Sequence, residues 1–361
     1  MKSEEERKDV YFFLCHCLFF CYNLEVENSR KSLDIPFGIG AQRIGKRTDR
    51  AQVSCMKENK TGVASSLRKG CSPIAKEVEG LKKIDLKIGL MEKQGILICP
   101  KCTSALEIDG RSLRCQKGHT YDISRKGTCN FVLGYGEENY NLAMLEARER
   151  VIQAGLFDGI IEETTASIYE NLMEKGLTGP VNLLDAGCGD GSHLEMIGKR
   201  LWDKGVDVNL FGVDISKDGI NIAGRKNNQA LYFVADLSNL PFKEKSMDVI
   251  INILSPVNYK DFARVLKEDG RVYKVIPDTG YLMELRELYG MSEYHNDDIV
   301  NHLKENATVF GEKKILYHVN VEKYLDDLLL MTPMLWDRQL KDTGTELKEI
   351  TVETELFSFG F

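Results

Sequence analysis

Cys99, Cys102, Cys115 and His119 form the pattern C-x2-C-x12-C-x3-H, and no other feature of the chain limits its fold so strongly. Two thiolates held by one tight turn bite a single metal ion. A second pair further on closes a tetrahedron, which Zn²⁺ accepts because its filled d shell imposes no geometry of its own. Residues 96–133 read as strand, turn, strand, turn, with CPKC and CQKGH at the turns. That is the pattern of a zinc ribbon, too small to fold without its metal. Three Cys and one His leave no open position for water, so the expected zinc is structural. Four reduced, unliganded side chains are the alternative, and the two turn-like pairs weigh against it. Cys129 is a spare candidate ligand, although its flanks read as a strand edge.

Beyond the ribbon, apolar runs alternate with amphipathic stretches. VNLLDAG (181–187), NLFGVDI (209–215), LYFVADL (231–237), MDVIINIL (247–254) and RVYKVIP (271–277) read as strands, with helices expected over 192–203, 217–226 and 261–268. Further helices are expected over 140–156, 160–174, 281–290 and 322–331, and late strands over 315–321 and 352–361. Such alternation builds an α/β, doubly wound, mostly parallel sheet, here ending in an antiparallel hairpin.

The first of these strands runs into LLDAGCGDGSH (183–193). Gly187, Gly189 and Gly191 let the backbone turn sharply and approach a ligand with no Cβ in the way. G-x-G-x-G alone also serves dinucleotides. Three acidic residues narrow the choice. Asp185 ends the first strand, where a carboxylate suits a cofactor with a cationic amino-acid tail and repels a pyrophosphate. Asp214, followed by Ile215, ends the second strand and is placed for ribose hydroxyls, or equally for capping the next helix. Asp236, followed by Leu237, ends the third and is placed for an adenine amino group. Together they favour S-adenosyl-L-methionine over a nicotinamide dinucleotide. His193 is either a cofactor contact or a plain first-turn helix residue. Cys188 reads as a small buried side chain under the cofactor rather than a nucleophile.

The net charge of −7 conceals an asymmetry. Residues 1–90 carry 17 basic and 12 acidic side chains (+5), 91–135 carry 7 and 4 (+3), and 136–361 carry 24 and 39 (−15). Phosphates avoid an acidic surface, so a nucleic-acid partner is expected at the zinc segment, around Lys101, Arg111, Arg114, Lys117, Arg125 and Lys126. Ten cysteines without disulfide spacing, behind no recognisable signal peptide, fit a reducing cytoplasm. The apolar run Val10–Leu24 falls short of the roughly 20 residues that span a bilayer, so no membrane is expected as a partner. Residues 1–90 otherwise lack a sustained period and read as a poorly ordered extension. Met91 offers an alternative chain start, and an over-extended start competes there with an amphipathic leader. The expected organisation is this extension, a zinc ribbon over 91–135 and an enzyme domain over 136–361.

From residue 95 onward the chain resembles the RlmA family of bacterial 23S rRNA guanine-N1 methyltransferases. The resemblance rests on C-P-x-C…C-x-x-x-H-x-x-D (Cys99 to Asp122), Ala147-Arg148, AGLF (154–157), LLDAGCGDG (183–191), FGVDISK (211–217), SMDVII (246–251), ARVLKEDGRV (263–272), YLMEL (281–285) and LLLMTPMLW (328–336). It implies a zinc-ribbon substrate module on a seven-stranded, Rossmann-like class I methyltransferase domain, with 23S rRNA as partner. It makes Cys99, Cys102, Cys115 and His119 the zinc ligands, and places Gly189, Asp190, Phe157 and Tyr281 at the cofactor. Phe157 and Tyr281 depart from the family's usual Tyr and His, so stacking is kept while one hydrogen-bonding pattern changes. The general base is unassigned. Asn252, at the fourth strand's end, is placed to read a guanine edge or simply to shape a turn, and Tyr281, Tyr289 or Trp336 are placed to stack on a base. A homodimer is left open. The rival readings are a small-molecule methyltransferase with structural zinc and an inactive zinc-ribbon RNA-binding protein.

Overall fold

One eight-stranded sheet organises the described residues. The structure is a computed structural model that describes residues 82–132, 142–176, 179–226, 229–335 and 347–361. Strands β5 (Val181–Ala186), β6 (Val208–Asp214), β7 (Leu231–Val234), β8 (Met247–Ile253) and β9 (Leu266–Pro277) run parallel. Their residues are buried almost without interruption because helices cover both faces, which is why they read as apolar runs rather than as alternating ones. β10 (Thr308–Asn320) and β11 (Glu349–Gly360) close one edge as the expected antiparallel hairpin. Strand order reverses about β5, between β6 and β8, so the crevice above their carboxyl ends is where such a sheet binds ligands.

Seven of these strands answer the expectation; the eighth comes from the zinc segment. There β1 (Leu106–Asp109), β2 (Ser112–Cys115) and β3 (Thr120–Asp122) form a small antiparallel sheet. The chain then adds β4 (Cys129–Asn130) in parallel to β7, through Cys129 opposite Phe233 and Asn130 opposite Val234. Phe131 N–H continues the pairing to the Val234 carbonyl at 2.8 Å. The Phe131 ring lies 4.9 Å from Tyr121 on one side and 5.6 Å from Phe233 on the other. A second seam joins Ile98 N–H to the Pro241 carbonyl and Lys243 N–H to that of Ile96. Leu113, Tyr121 and Ile123 therefore share one apolar core with Phe211, Phe233 and Phe242.

Two helices depart from the sequence reading. Helix α1 (Lys83–Gln94) begins inside the stretch expected to lack order. Its period is short but present: Ile84, Ile88 and Met91 fall at i, i+4 and i+7, and Gly95 closes the helix at φ 58°. Lys83 Nζ donates to the carbonyls of Gly224 and Arg225 at 2.9 and 3.0 Å, just past the helix Lys217–Ala223, where a cation meets the negative end of the dipole. Lys87 is buried and donates to the Ala230 carbonyl. Residues 83–90 thus pack onto the enzyme body, while 1–81, with the Val10–Leu24 run, lie outside the described residues. The second departure is a helix over Asp297–Asn306, on which Leu303 is fully buried and Ile299 and Val300 are half-buried against the same core, a short apolar face that the sequence reading passed over. Among the described residues no helix is long and apolar enough to cross a membrane.

Burial, with the Lys83 charge behind it, lowers the Lys87 ammonium from 10.5 to about 7. Above about pH 7 the folded protein sheds a proton that the unfolded chain keeps until about 10.5, so the unfolded state binds more protons and stability rises with pH across that window. Thermal midpoints of wild type and Lys87→Met, measured from pH 6 to 10, should converge or cross as the wild-type curve climbs. Parallel curves would show that the lysine is not held in this state.

Candidate active site and zinc centre

Two knuckles build the metal site. At the first, Cys102 and Thr103 N–H both return to the Cys99 carbonyl, at 3.2 and 2.7 Å. At the second, Gly118 N–H returns to the Cys115 carbonyl at 2.9 Å, with Gly118 at φ 82°. The four ligand atoms of Cys99, Cys102, Cys115 and His119 lie within 4.8 Å of one another. His119 Nδ1 is 3.4 Å from the sulfurs of both Cys99 and Cys115, and the Cys102 and Cys115 sulfurs are 3.6 Å apart. A tetrahedral zinc with ordinary bond lengths asks for roughly 3.8 Å between sulfurs and roughly 3.6 Å between sulfur and nitrogen, so the donor set fits zinc. Hydrogen bonding from Ser104 holds the Cys102 thiol down to about 6, which favours the thiolate a metal needs. Cys129 takes no part: it is buried in β4, and burial pushes its thiol up to about 12.

The second site sits at the crevice. Between β5 and the helix Ser192–Asp203 the chain turns through Gly187, Gly189 and Gly191, all at positive φ (89°, 54° and 75°). Two of these positions also lack room. A Cβ on Gly187 would lie 1.8 Å from Ser255 Oγ, and one on Gly191 2.7 Å from the Tyr232 ring. The loop is held from below by Asp214, whose carboxylate accepts Gly189 N–H at 2.7 Å and Ser216 N–H at 2.8 Å. Asp190 turns away from the crevice toward Lys226 Nζ at 3.6 Å, and Lys226 also reaches Glu149 at 2.7 Å and Ser192 Oγ at 3.1 Å. Asp236 stands two residues beyond β7, with Oδ1 accepting Ser238 N–H at 2.8 Å. Ile215 and Leu237, next to these two aspartates, are half-buried.

Asp185 is the unusual group. It is 2% exposed, and its Oδ2 has no hydrogen-bond partner. Burial first, then the charge of Asp214, raises its carboxyl to about 8 against an opposing pull from Arg148. His193 is buried with Nε2 unpartnered, and burial, with Arg148 second, holds it neutral with a pKa of about 3. The His193 ring packs edge-on to Phe157 at 5.1 Å. Tyr281 flanks the same space, its hydroxyl pushed up by burial. A close-approach glycine loop, a buried carboxyl with a vacant oxygen and aromatic walls fit an adenosyl cofactor with a charged amino-acid tail.

The comparisons with known proteins give the same answer. Residues 97–132 match the family described as RlmA, N-terminal, and residues 183–275 the one described as methyltransferase domain. Over 271 residues the chain is 35% identical to YxjB of Bacillus subtilis (strain 168), which carries the provisional name 23S rRNA (guanine-N(1)-)-methyltransferase; the match covers 72% of this chain and 94% of that protein. The chain belongs to the RlmA family. A Streptomyces fradiae relative, named 23S rRNA (guanine(748)-N(1))-methyltransferase, is 24% identical over 260 residues, covering 70% of this chain and 90% of its own.

Within this RlmA-family chain the structure decides two of the residues left open as base contacts. Asn252 is fully buried and its amide is spent: Nδ2 donates to the Ala186 and Pro256 carbonyls at 2.7 and 2.9 Å, and Oδ1 accepts the buried Lys274 ammonium at 2.7 Å. It shapes the turn after β8, where Leu254 is forced to φ 51°, rather than presenting an edge to a base. Tyr289 is buried in the core, which removes it as a stacking platform. Trp336 lies outside the described residues. Lys226 and Lys274, which lock the cofactor loop and the turn facing it, carried no motif signal and were missed.

If Asp185 is the group that receives the α-ammonium of S-adenosylmethionine, it must do so as the carboxylate, and binding below about pH 8 then expels a proton. In isothermal titration at pH 7, the binding enthalpy should change with the buffer's ionisation enthalpy by close to one proton. The dissociation constant should rise toward about tenfold per pH unit below 7. Asp185→Asn should bind more weakly and lose both dependences. A buffer-independent enthalpy in the wild type would contradict the assignment.

Proposed function

We propose that the chain transfers the methyl group of S-adenosylmethionine to N1 of a guanine in a 23S rRNA hairpin. The observation that carries this reading is the β4–β7 junction, which ties a zinc ribbon bearing basic side chains to an acidic sheet with a cofactor crevice. Phosphates are attracted to the ribbon, and the sheet delivers the reactive carbon at a fixed distance from it. A small-molecule methyltransferase needs no such handle.

The cofactor supplies an electrophilic methyl on a sulfonium. What the protein contributes is position. Gly187 and Gly189 would admit the cofactor close to the backbone, Asp185 would hold its ammonium, and Asp214 and Asp236 would offer oxygens to ribose and adenine. Phe157 and Tyr281 would wall the pocket with aromatic surface, Gly191, Asp190 and His193 would shape the loop around it, and Ile215 and Leu237 would pack beside the adenine. Holding guanine N1 in line with the methyl carbon, with water excluded, accounts for much of the rate. The guanine is drawn out of its hairpin to reach this depth. N1 must lose a proton. His193, held at about 3, is too weak a base to take it, so the proton leaves by another route.

Zinc-loaded protein and labelled S-adenosylmethionine should methylate 23S rRNA from cells lacking the modification, and digestion should yield 1-methylguanosine. Absence of label in the rRNA would end this reading. Cys102→Ser should release zinc and weaken rRNA binding at least about tenfold, while cofactor affinity changes little. Unchanged rRNA affinity in that metal-free variant would refute the ribbon's role as handle.

A further inference from the structure

The cofactor pocket contains a cation that nothing in the foregoing uses. Arg148 lies on helix α2 (Leu142–Gln153), which carries four charged side chains. Three have partners: Glu146 with Arg225 at 3.3 Å, Glu149 with Lys226 at 2.7 Å, and Arg150 with Asp327 at 2.6 Å. These pairs pin the helix over the glycine loop. Arg148 is the exception: its Nε is buried with no hydrogen-bond partner among the described residues. Its guanidinium covers Gly189, whose Cβ position would lie 3.7 Å from Arg148 Cζ and 3.8 Å from Nη1. The Arg148 charge also reaches Asp185, His193 and Tyr281, three titratable groups lining the same space.

The pocket thus holds an unsatisfied carboxyl oxygen and an unsatisfied guanidinium nitrogen that do not pair with each other: Asp185 and Arg148 form no ion pair. Buried charges left unpaired are costly, so a ligand that brings both opposite charges on adjoining atoms is the natural complement. An α-amino acid is such a ligand. We propose that Arg148 binds the α-carboxylate of the S-adenosylmethionine tail, while Asp185 takes the α-ammonium. The inference rests on the cofactor reading above and not on the identity of the methyl acceptor. An rRNA phosphate is the rival anion. It is disfavoured because the carboxyls of Asp185 and Asp214 lie close to this space and an RNA phosphate brings no compensating cation, whereas the amino-acid tail does.

The test compares S-adenosylmethionine with its decarboxylated analogue, which keeps the amine and lacks the carboxylate. Both are titrated calorimetrically into the zinc-loaded wild type, Arg148→Met and Arg148→Lys. A charge-assisted bond of this kind should make the wild type prefer the intact cofactor by about 30-fold. Arg148→Met should cut that ratio to about threefold or less, through lost affinity for the intact cofactor alone, and Arg148→Lys should keep part of it. Equal losses for both compounds in Arg148→Met, with the ratio held, would assign the arginine a merely structural role and overturn the proposal. So would an unchanged ratio accompanied by weaker rRNA binding, which would assign it to a phosphate. If Arg148→Met is unstable, a wild-type ratio in Arg148→Gln or in Arg148→Lys decides against the clamp equally. A wild type that binds neither compound would defeat the cofactor reading itself, whereas one that binds both equally defeats only the clamp.

Discussion

Two residues of backbone pairing, Cys129 and Asn130 against Phe233 and Val234, set the relation between the metal module and the sheet. A zinc ribbon on a flexible tether would add affinity for a substrate but could not say where the reacting atom should lie. Here the strand is continuous with the sheet, Phe131 is wedged between Tyr121 and Phe233, and the apolar core runs without a break from the ribbon into the sheet. The distance from handle to crevice is therefore a property of the fold. Metal loss propagates along this path, because a ribbon without zinc has too little core of its own to keep β4 in place.

The crevice follows a second constraint, the management of buried charge. Asp190 is balanced by Lys226, and the Lys274 ammonium is cradled by Asn252 and the Ser255 carbonyl. These internal contacts fix the two walls, the glycine loop and the turn after β8. Asp185 and Arg148 stand between the walls without such partners. What sets these two apart from other unsatisfied buried atoms is that they carry opposite charges and face one space, so the proposed amino-acid tail would complement both at once.

Much of this was legible in the residues. The zinc ligands came from spacing alone, because a tetrahedron needs four donors and two tight turns supply them in pairs. The parallel strands were legible because burial on both faces writes continuous apolar runs, and Asp185, Asp214 and the glycines because strand-end position follows from those runs. What stayed hidden depends on tertiary partners. Asn252 looked available for a base since no sequence pattern reveals Lys274 from the neighbouring strand. The Asp297–Asn306 helix has an apolar face of only three residues, Ile299, Val300 and Leu303, a short stripe among polar neighbours. Helix α1 did carry a period, but its first half falls within a polar, glycine-dotted stretch, and its buried Lys87 reads from sequence as a surface residue. The eighth strand is two residues long, below what any alternation can show.

The central claim is that a rigid metal handle and a charge-matched crevice together deliver one guanine N1 to the methyl group. Because methylation at N1 blocks base pairing, primer extension along 23S rRNA reads the outcome directly. One strong stop should appear immediately 3′ to a hairpin guanine in rRNA from cells making the wild-type chain. None should appear in cells lacking the chain, or in cells making a ribbon that cannot hold zinc. No stop with the wild type, or an equally strong stop with the metal-free ribbon, would contradict it.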